Sequence, residues 1–392
     1  MMDEQQLRER LGTVEVPPTR LQVSDLVDAG RRRVLRRRGI RAGCAVALAT
    51  GVLVAVPSLV FGSGGSAPAQ PADTRKGAVS CDVTRLPAPA GLQSITAAGV
   101  DPTGTYVIGN SITGQRESGS VKSGTVHLVA PILWVNGQPQ ALPVQGKSTS
   151  AAAVNAGGVV AAVAGDEQWT SVVRYVDGVP EKLTPPAGNW IYLGYLSINA
   201  KGDVLVNARH QTDPEGKGIV LLWKAGAQKA TQLPLPANAE GLEILDNGTI
   251  VGDILKGPKI NDLSSYAWNQ QGVGHKLKTP AGQSGGVNAA RGDWATGNLW
   301  PSGTAARWNL RTGAVTDLGI HAPAAAINAG GWIVTDGTLQ RDGKSLKLVT
   351  SVGVPGEPVD VSDNGVVVGS ILSSDKDGAV VRGGALTWQC GS

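Results

Sequence analysis

Residues 80–89 read "SCDVTRLPAP". They follow a Gly-, Ser-, Pro- and Ala-rich stretch, and they hold Cys81, one of three cysteines in the chain. The Leu-Pro step after a short β-prone run reads as the end of a strand. No partner strand lies nearby in sequence. The strand finds its place only through the remainder of the chain, which is repetitive.

Three signals recur. The first is an Asx-x-x-Gly turn between a small apolar strand and a Val-rich one. It appears as "VDPTGTYVIG" at Asp101, "VNAGGVVAAV" at Asn155, "INAKGDVLVN" at Asn199 and "LDNGTIVGD" near Asp246. It continues as "VNAARGDWATG" at Asn288, "INAGGWIVTD" at Asn328 and "VSDNGVVVGS" at Ser362, seven copies 34 to 54 residues apart. The second is an aromatic near the end of the next strand: Trp134, Tyr175, Trp223, Trp268, Trp308 and Trp388, with Arg341 in that place in copy six. The third is a strand centred on Leu, at Leu142, Leu183, Leu233, Leu277, Leu318 and Leu348.

Each unit thus reads as four strands, A to D, with the Asx-Gly turn supplying the positive φ that a tight A–B hairpin needs. Four antiparallel strands in about 42–45 residues is the period of a propeller blade. Seven A–B turns and seven C strands stand against only six D strands after residue 94. The missing D strand is "DVTRLPAP" at 82–89, with Leu86 in the Leu position. The sequence therefore predicts an all-β, seven-bladed propeller of four-stranded antiparallel blades, closed by its N-terminal strand. Cys81 directly precedes that strand and Cys390 directly follows the C strand it joins. In blade 1 the equivalent places are the consecutive residues Asn136 and Gly137. A Cys81–Cys390 disulfide is expected where other blades have a continuous turn.

The repeats also resemble the HAF family of extracellular repeat proteins, through the "IN-x-x-G-x-VVG … A-x-x-W … L" pattern over about residues 94–389, best in copies three, four and seven. The resemblance implies the repeat architecture and says little of function. Copies one, five and six depart from it.

The N-terminal part differs in kind. Residues 42–61, "AGCAVALATGVLVAVPSLVF", carry no charge, and twenty apolar residues match a bilayer's hydrocarbon core. Seven Arg lie between Arg31 and Arg41, which orients that flank toward the cytosol. One transmembrane helix at 42–61 is expected, after a cytoplasmic Arg-rich tail at 1–41. A flexible linker at 62–77 and an extracellular propeller at 78–392 follow. A cleavable signal peptide, with an Ala-x-Ala site in "SAPAQ" at 66–70, is the alternative; the apolar run and the tail are both long for one. Either way the propeller meets an oxidising exterior at the plasma membrane, which suits a disulfide.

Charge and chemistry bound the function. Of 35 basic and 31 acidic residues, ten Arg and six acids lie in 1–41, leaving 25 of each beyond. A neutral main domain excludes a nucleic-acid partner. His127, His210, His275 and His321 fall in different units with no metal-ligand spacing. "SSDK" at 373–376 lacks the partner motifs of its enzyme class. Asp375 and Asp377 imitate the start of a calcium loop whose closing Glu is missing. "RGD" at 291–293 coincides with a repeat turn. No catalytic residue, metal or cofactor is expected, and the chain is expected to be a monomer. Binding is expected on the variable B–C loops, because loops on a rigid scaffold carry contacts. The candidates are Arg116, Glu117, Trp169, Arg209, His210, Lys256 and Trp300. The expected role is a binding module for an extracellular protein, glycan or small ligand. The alternative is a hydrolase or lyase acting on cell-wall or extracellular glycans at the ring centre.

Overall fold

An Asx side chain closes a turn by accepting backbone N–H groups that the strands leave behind. The structure, a computed structural model, describes residues 45–46, 81–117, 125–166, 168–213, 217–257, 262–350, 356–374 and 380–390. In it, Asn155 Oδ1 accepts from the N–H groups of Gly157 and Val159, both at 3.0 Å. Gly158 takes the positive φ of that turn, 74°. The same side chain has a second task. Asn155 donates its amide to the carbonyl of Asn199 in the next turn at 3.1 Å, and Asn199 donates to Leu245 at 3.4 Å. Asn328 donates to Ser362 at 3.0 Å, and Asn364 of the seventh turn donates to Thr103 of the first at 2.6 Å. The turn signature therefore ties blade 2 to 3, 3 to 4 and 6 to 7, and the last tie joins blade 7 to blade 1.

The fold is a seven-bladed β-propeller of four-stranded antiparallel blades. Blade 1 runs Ile95–Val100 (A), Tyr106–Glu117 (B), Thr125–Val135 (C) and Gln138–Ala141 (D). Blade 7 consists of Gly356–Val361 (A), Val366–Ser374 (B), Val380–Gln389 (C) and, as D, Asp82–Arg85. That last strand pairs Asp82 with Gln389 and Arg85 with Leu386. The A strands touch one another in cyclic order, including blade 7 against blade 1, so they line the ring's centre.

The core lies between blades. One cluster joins Ile108 and Leu142 of blade 1 to Ala151 and Tyr175 of blade 2, and another joins Leu86 and Val368 of blade 7 to Ile95 and Trp134 of blade 1. Each recurring aromatic is buried, and five of the six satisfy their polar atom on the preceding blade. Tyr175 Oη donates to the Pro143 carbonyl at 2.6 Å, Trp223 to Thr184 at 3.0 Å, Trp308 to Lys278 at 2.7 Å and Trp388 to Val349 at 2.7 Å. Every acceptor immediately follows the D-strand Leu. Trp134 of blade 1 obeys the same rule by donating to Pro87 at 2.7 Å, so blade 1 treats the N-terminal strand as the fourth strand of the blade before it. Cys81 and Cys390 form a disulfide with Cα atoms 4.2 Å apart, close to the ~3.8 Å of consecutive residues. The sulfur bridge stands where Asn136 and Gly137 supply the hairpin turn of blade 1, at φ 49° and 78°.

The A strands of blades 1, 2, 4, 5 and 7 each carry a one-residue bulge, after Ala97, Ala151, Gly241, Val287 and Pro358. A polar residue in the preceding B strand meets three of these bulges. Asn110 exchanges two hydrogen bonds with Ala151, Asn207 two with Gly241, and Asp253 accepts from Val287 N–H. In blade 2 that place holds Val163, which can do neither. The A strand it faces, Trp190–Ile198 of blade 3, has the widest irregularity, with the ladder interrupted between Tyr192 and Leu196.

Blade 6 keeps four strands without its aromatic. Arg341 lies over the Trp332 ring, 4.0 Å from its centroid. The RGD sequence is a turn in use rather than on display: Arg291 Nη1 donates to the Val361 carbonyl of blade 7 at 3.1 Å, and Asp293 pairs with Arg311. Of the expected membrane helix at 42–61, only Ala45–Val46 fall among the described residues; they pair as a two-residue strand with Val126 and Thr125. No helix among the described residues is long and apolar enough to cross a membrane.

Candidate functional site

Strand direction puts the A–B and C–D turns at one end of the ring and the B–C and D–A loops at the other. At the second end, where blade 2 meets blade 3, a groove of about 680 Å³ opens. Gln145 and Gly146 enter it from the D–A loop before blade 2, Asp166, Gln168 and Thr170 from the blade 2 B–C loop, and Lys182 from the blade 2 D strand, Val179–Leu183. Gln211 enters from blade 3.

The walls are fixed by backbone bonds. Thr170 N–H donates to Ala164 at 3.0 Å, which folds the B–C loop back on its own blade, and Tyr192 N–H donates to the Trp169 carbonyl at 2.8 Å, which pins the loop to blade 3. Asp166 Oδ1 accepts from Lys147 N–H at 3.0 Å, with Lys147 Nζ 3.8 Å from Oδ2. Beside the groove, Trp169 and Trp190 pack onto one apolar cluster that includes Leu183, Tyr192 and Trp223. His210 meets Trp190 edge-on with centroids 5.6 Å apart, and its Nδ1 lies 2.8 Å from Thr212 Oγ1. Toward the ring centre, the irregular strand of blade 3 delivers Tyr195, which donates to Glu240 Oε2 at 3.1 Å. Arg209 Nη2 lies 3.4 Å from Glu240 Oε1.

The seven expected contact residues separate on this map. Trp169, Arg209 and His210 come together at the blade 2–blade 3 boundary. Arg209 is less available than its loop position suggests, being only 25% exposed and committed to Glu240. Lys256 is exposed on blade 4, its N–H bound to the Asp262 carbonyl at 2.6 Å. Trp300 ends the blade 5 B strand opposite Ser284. Arg116 and Glu117 end the blade 1 B strand opposite Val126 and Thr125. Asp375 and Asp377 lie outside the described residues. Among the described residues, no group of three or more His, Cys, Asp and Glu is placed to hold a metal ion. His127, on the C strand of blade 1, has its imidazole held below the usual value by burial.

Sequence reasoning missed Gln145, Trp190 and Glu240 because it searched only B–C loops. The D–A loops and the A-strand starts share that end of the ring, and "PAGNWIY" at 186–192 carried the signal for Trp190.

The class defined by this architecture is a ring-closed β-propeller. No family model matches the chain, and no curated protein matches it. Solved structures do. The chain is similar to the β-propeller domain of the Trilobed protease from Pyrococcus furiosus, described as having an open velcro topology, at 11% identity over 76% of this chain and 94% of that one, TM-score 0.51. It is similar to Pyrococcus horikoshii acylaminoacyl peptidase at 13% identity over 76% of this chain and 51% of that one, TM-score 0.51. It also aligns with the WD40 repeats of RRP9 at 10% identity over 79% of this chain and 97% of that one, TM-score 0.48. At such identities the likeness shows the propeller fold alone.

Proposed function

We propose that the chain is a membrane-anchored, extracytoplasmic interaction module, built from HAF-type repeats, whose B–C face points away from the bilayer. One observation carries the orientation. Cys81, where the propeller begins, sits beside the A–B turn of blade 7, with Cys390 N–H donating to the Gly365 carbonyl at 3.1 Å. A tether from residues 62–77 therefore reaches the ring on its A–B side, and the groove opens on the other. The Cys81–Cys390 disulfide supports an oxidising compartment. The Arg cluster before residue 42 supports a cytoplasmic N-terminus. Membrane insertion requires Ala45–Val46 to give up their pairing with Thr125 and Val126.

Two experiments on the full chain in cells test this. A membrane-impermeant maleimide is expected to label Ser66→Cys in intact cells and Ser24→Cys only after lysis; the reverse pattern, or recovery of the chain in the soluble fraction, refutes the anchor. Photo-crosslinking residues placed at His210 and Trp300 are expected to capture a partner, while the same residues at Asn269 and Ala329 on the A–B face capture none. Equal capture from both faces, or none from either, refutes the outward-facing module.

A further inference from the structure

We propose that the groove between blades 2 and 3 binds a neutral carbohydrate chain; this rests on the preceding reading only in needing the B–C face open to the exterior. Three carboxamides converge on it from three separate loops: Gln145, Gln168 and Gln211. A carboxamide offers two donors and an acceptor, the pattern that adjacent sugar hydroxyls require; Gln145 places one donor on the Val144 carbonyl at 3.3 Å and keeps the rest. The side chains of Gln168 and Gln211 are exposed and form no hydrogen bond within the protein among the described residues. Thr170 adds a hydroxyl to the same wall. The volume of about 680 Å³ falls in the range of small-molecule sites.

The lining also argues against other ligands. Among the described residues its apolar members are Ala164 and Val173, so a peptide would find no pocket there for an apolar anchor, which is where peptide affinity resides. Among the described residues no Arg lines it, so they supply no fork of the kind that recognises phosphate or carboxylate. Among the described lining residues, Asp166 is matched by Lys147, and Lys182 is the one exposed ammonium able to donate to hydroxyls. Backbone pins at Ala164 and Trp169 hold the amide-bearing loop in place before a ligand arrives.

The test uses the full-length protein in a detergent without a sugar headgroup. Cellotetraose, chitotetraose and maltotetraose are titrated calorimetrically beside tetragalacturonate and an unstructured peptide. At least one neutral tetrasaccharide is expected to bind with a Kd of about 1 mM or tighter. The Gln168→Ala/Gln211→Ala double variant is expected to weaken it at least tenfold with an unchanged melting temperature. Gln271→Ala, exposed on the opposite face, serves as the control and should change nothing. Silence from all three neutral sugars, equal or tighter binding of tetragalacturonate or the peptide, or indifference to the double variant overturns the proposal. Blank titrations beside positive cross-links at His210 sink the carbohydrate and leave the module; failure of both sinks both.

Discussion

Tyr175 carries its hydroxyl into the core and donates it to the Pro143 carbonyl of the neighbouring blade. Burial pushes its pKa up to about 12, so the phenol stays a donor across the physiological range. Tyr175→Phe keeps the ring and orphans that carbonyl; a loss of about 1–2 kcal/mol is expected in denaturant unfolding. Wild-type stability in the variant would mean that solvent replaces the bond. Asp203 gives a pH-dependent counterpart. Burial alone raises its carboxyl, but Ala225 N–H, the Asn199 amide and Lys224 together hold it below its ordinary value. A folded pKa below the unfolded one stabilises above about pH 4, and that stabilisation is lost as pH falls through the folded value. Lys224 is 49% exposed, so its share is screened. Asp203→Asn is expected to lower stability at neutral pH by about 1 kcal/mol and to flatten the loss that sets in as pH falls below about 5; parallel acid curves for the two proteins would refute the assignment. The aromatic positions were legible in sequence because they recur beside a strand end. Their acceptors were not, because a backbone carbonyl one place after a Leu, 32 residues away for Tyr175, has no side-chain signature.

Among the strands, Asn207 sits midway along Val204–His210 and serves the bulge of the next blade's A strand with both ends of its amide, at 2.9 and 2.6 Å. Asn207→Ala leaves both the N–H and the carbonyl of Gly241 without the Asn207 amide in a buried place, and a loss of about 2–4 kcal/mol is expected from two such bonds. A thermal unfolding shift no larger than that of an exposed control such as Gln271→Ala would refute the role. This polar place could have been read from "VIGN", "VLVN", "VGD" and "TGN" in the repeats, but the eye follows the Val and Gly that surround it. Its absence at Val163 accompanies the irregular strand of blade 3, and that strand brings Tyr195 to Glu240. The candidate site therefore lies next to the one described junction where an apolar residue breaks the pattern. Periodicity locates the strands of such a ring but not the junction at which two loops converge on a groove, since Gln145 and Gln211 are joined only through the packing of two blades.

At the scale of the ring, closure is the property that the opening strand decides. Cys81–Cys390 spans 309 residues, and a cross-link over so long a loop restricts the unfolded chain by at most about 5–6 kcal/mol in the chain-entropy view. The non-covalent part of the clasp is separate. Leu86 is buried, and Trp134 holds Pro87 from blade 1. The N-terminal strand should therefore stay in its slot without the sulfur bridge and leave it more readily on heating. Cys81→Ser is expected to keep the native fold, to melt well below the oxidised wild type, and to match wild-type protein melted in reductant. Adding Trp134→Phe to Cys81→Ser is expected to cost more than in the oxidised parent, because both changes act on one strand. Identical melting of Cys81→Ser and wild type without reductant would show that the ring does not depend on the bridge. Strict additivity of the two substitutions would place Trp134 outside the clasp.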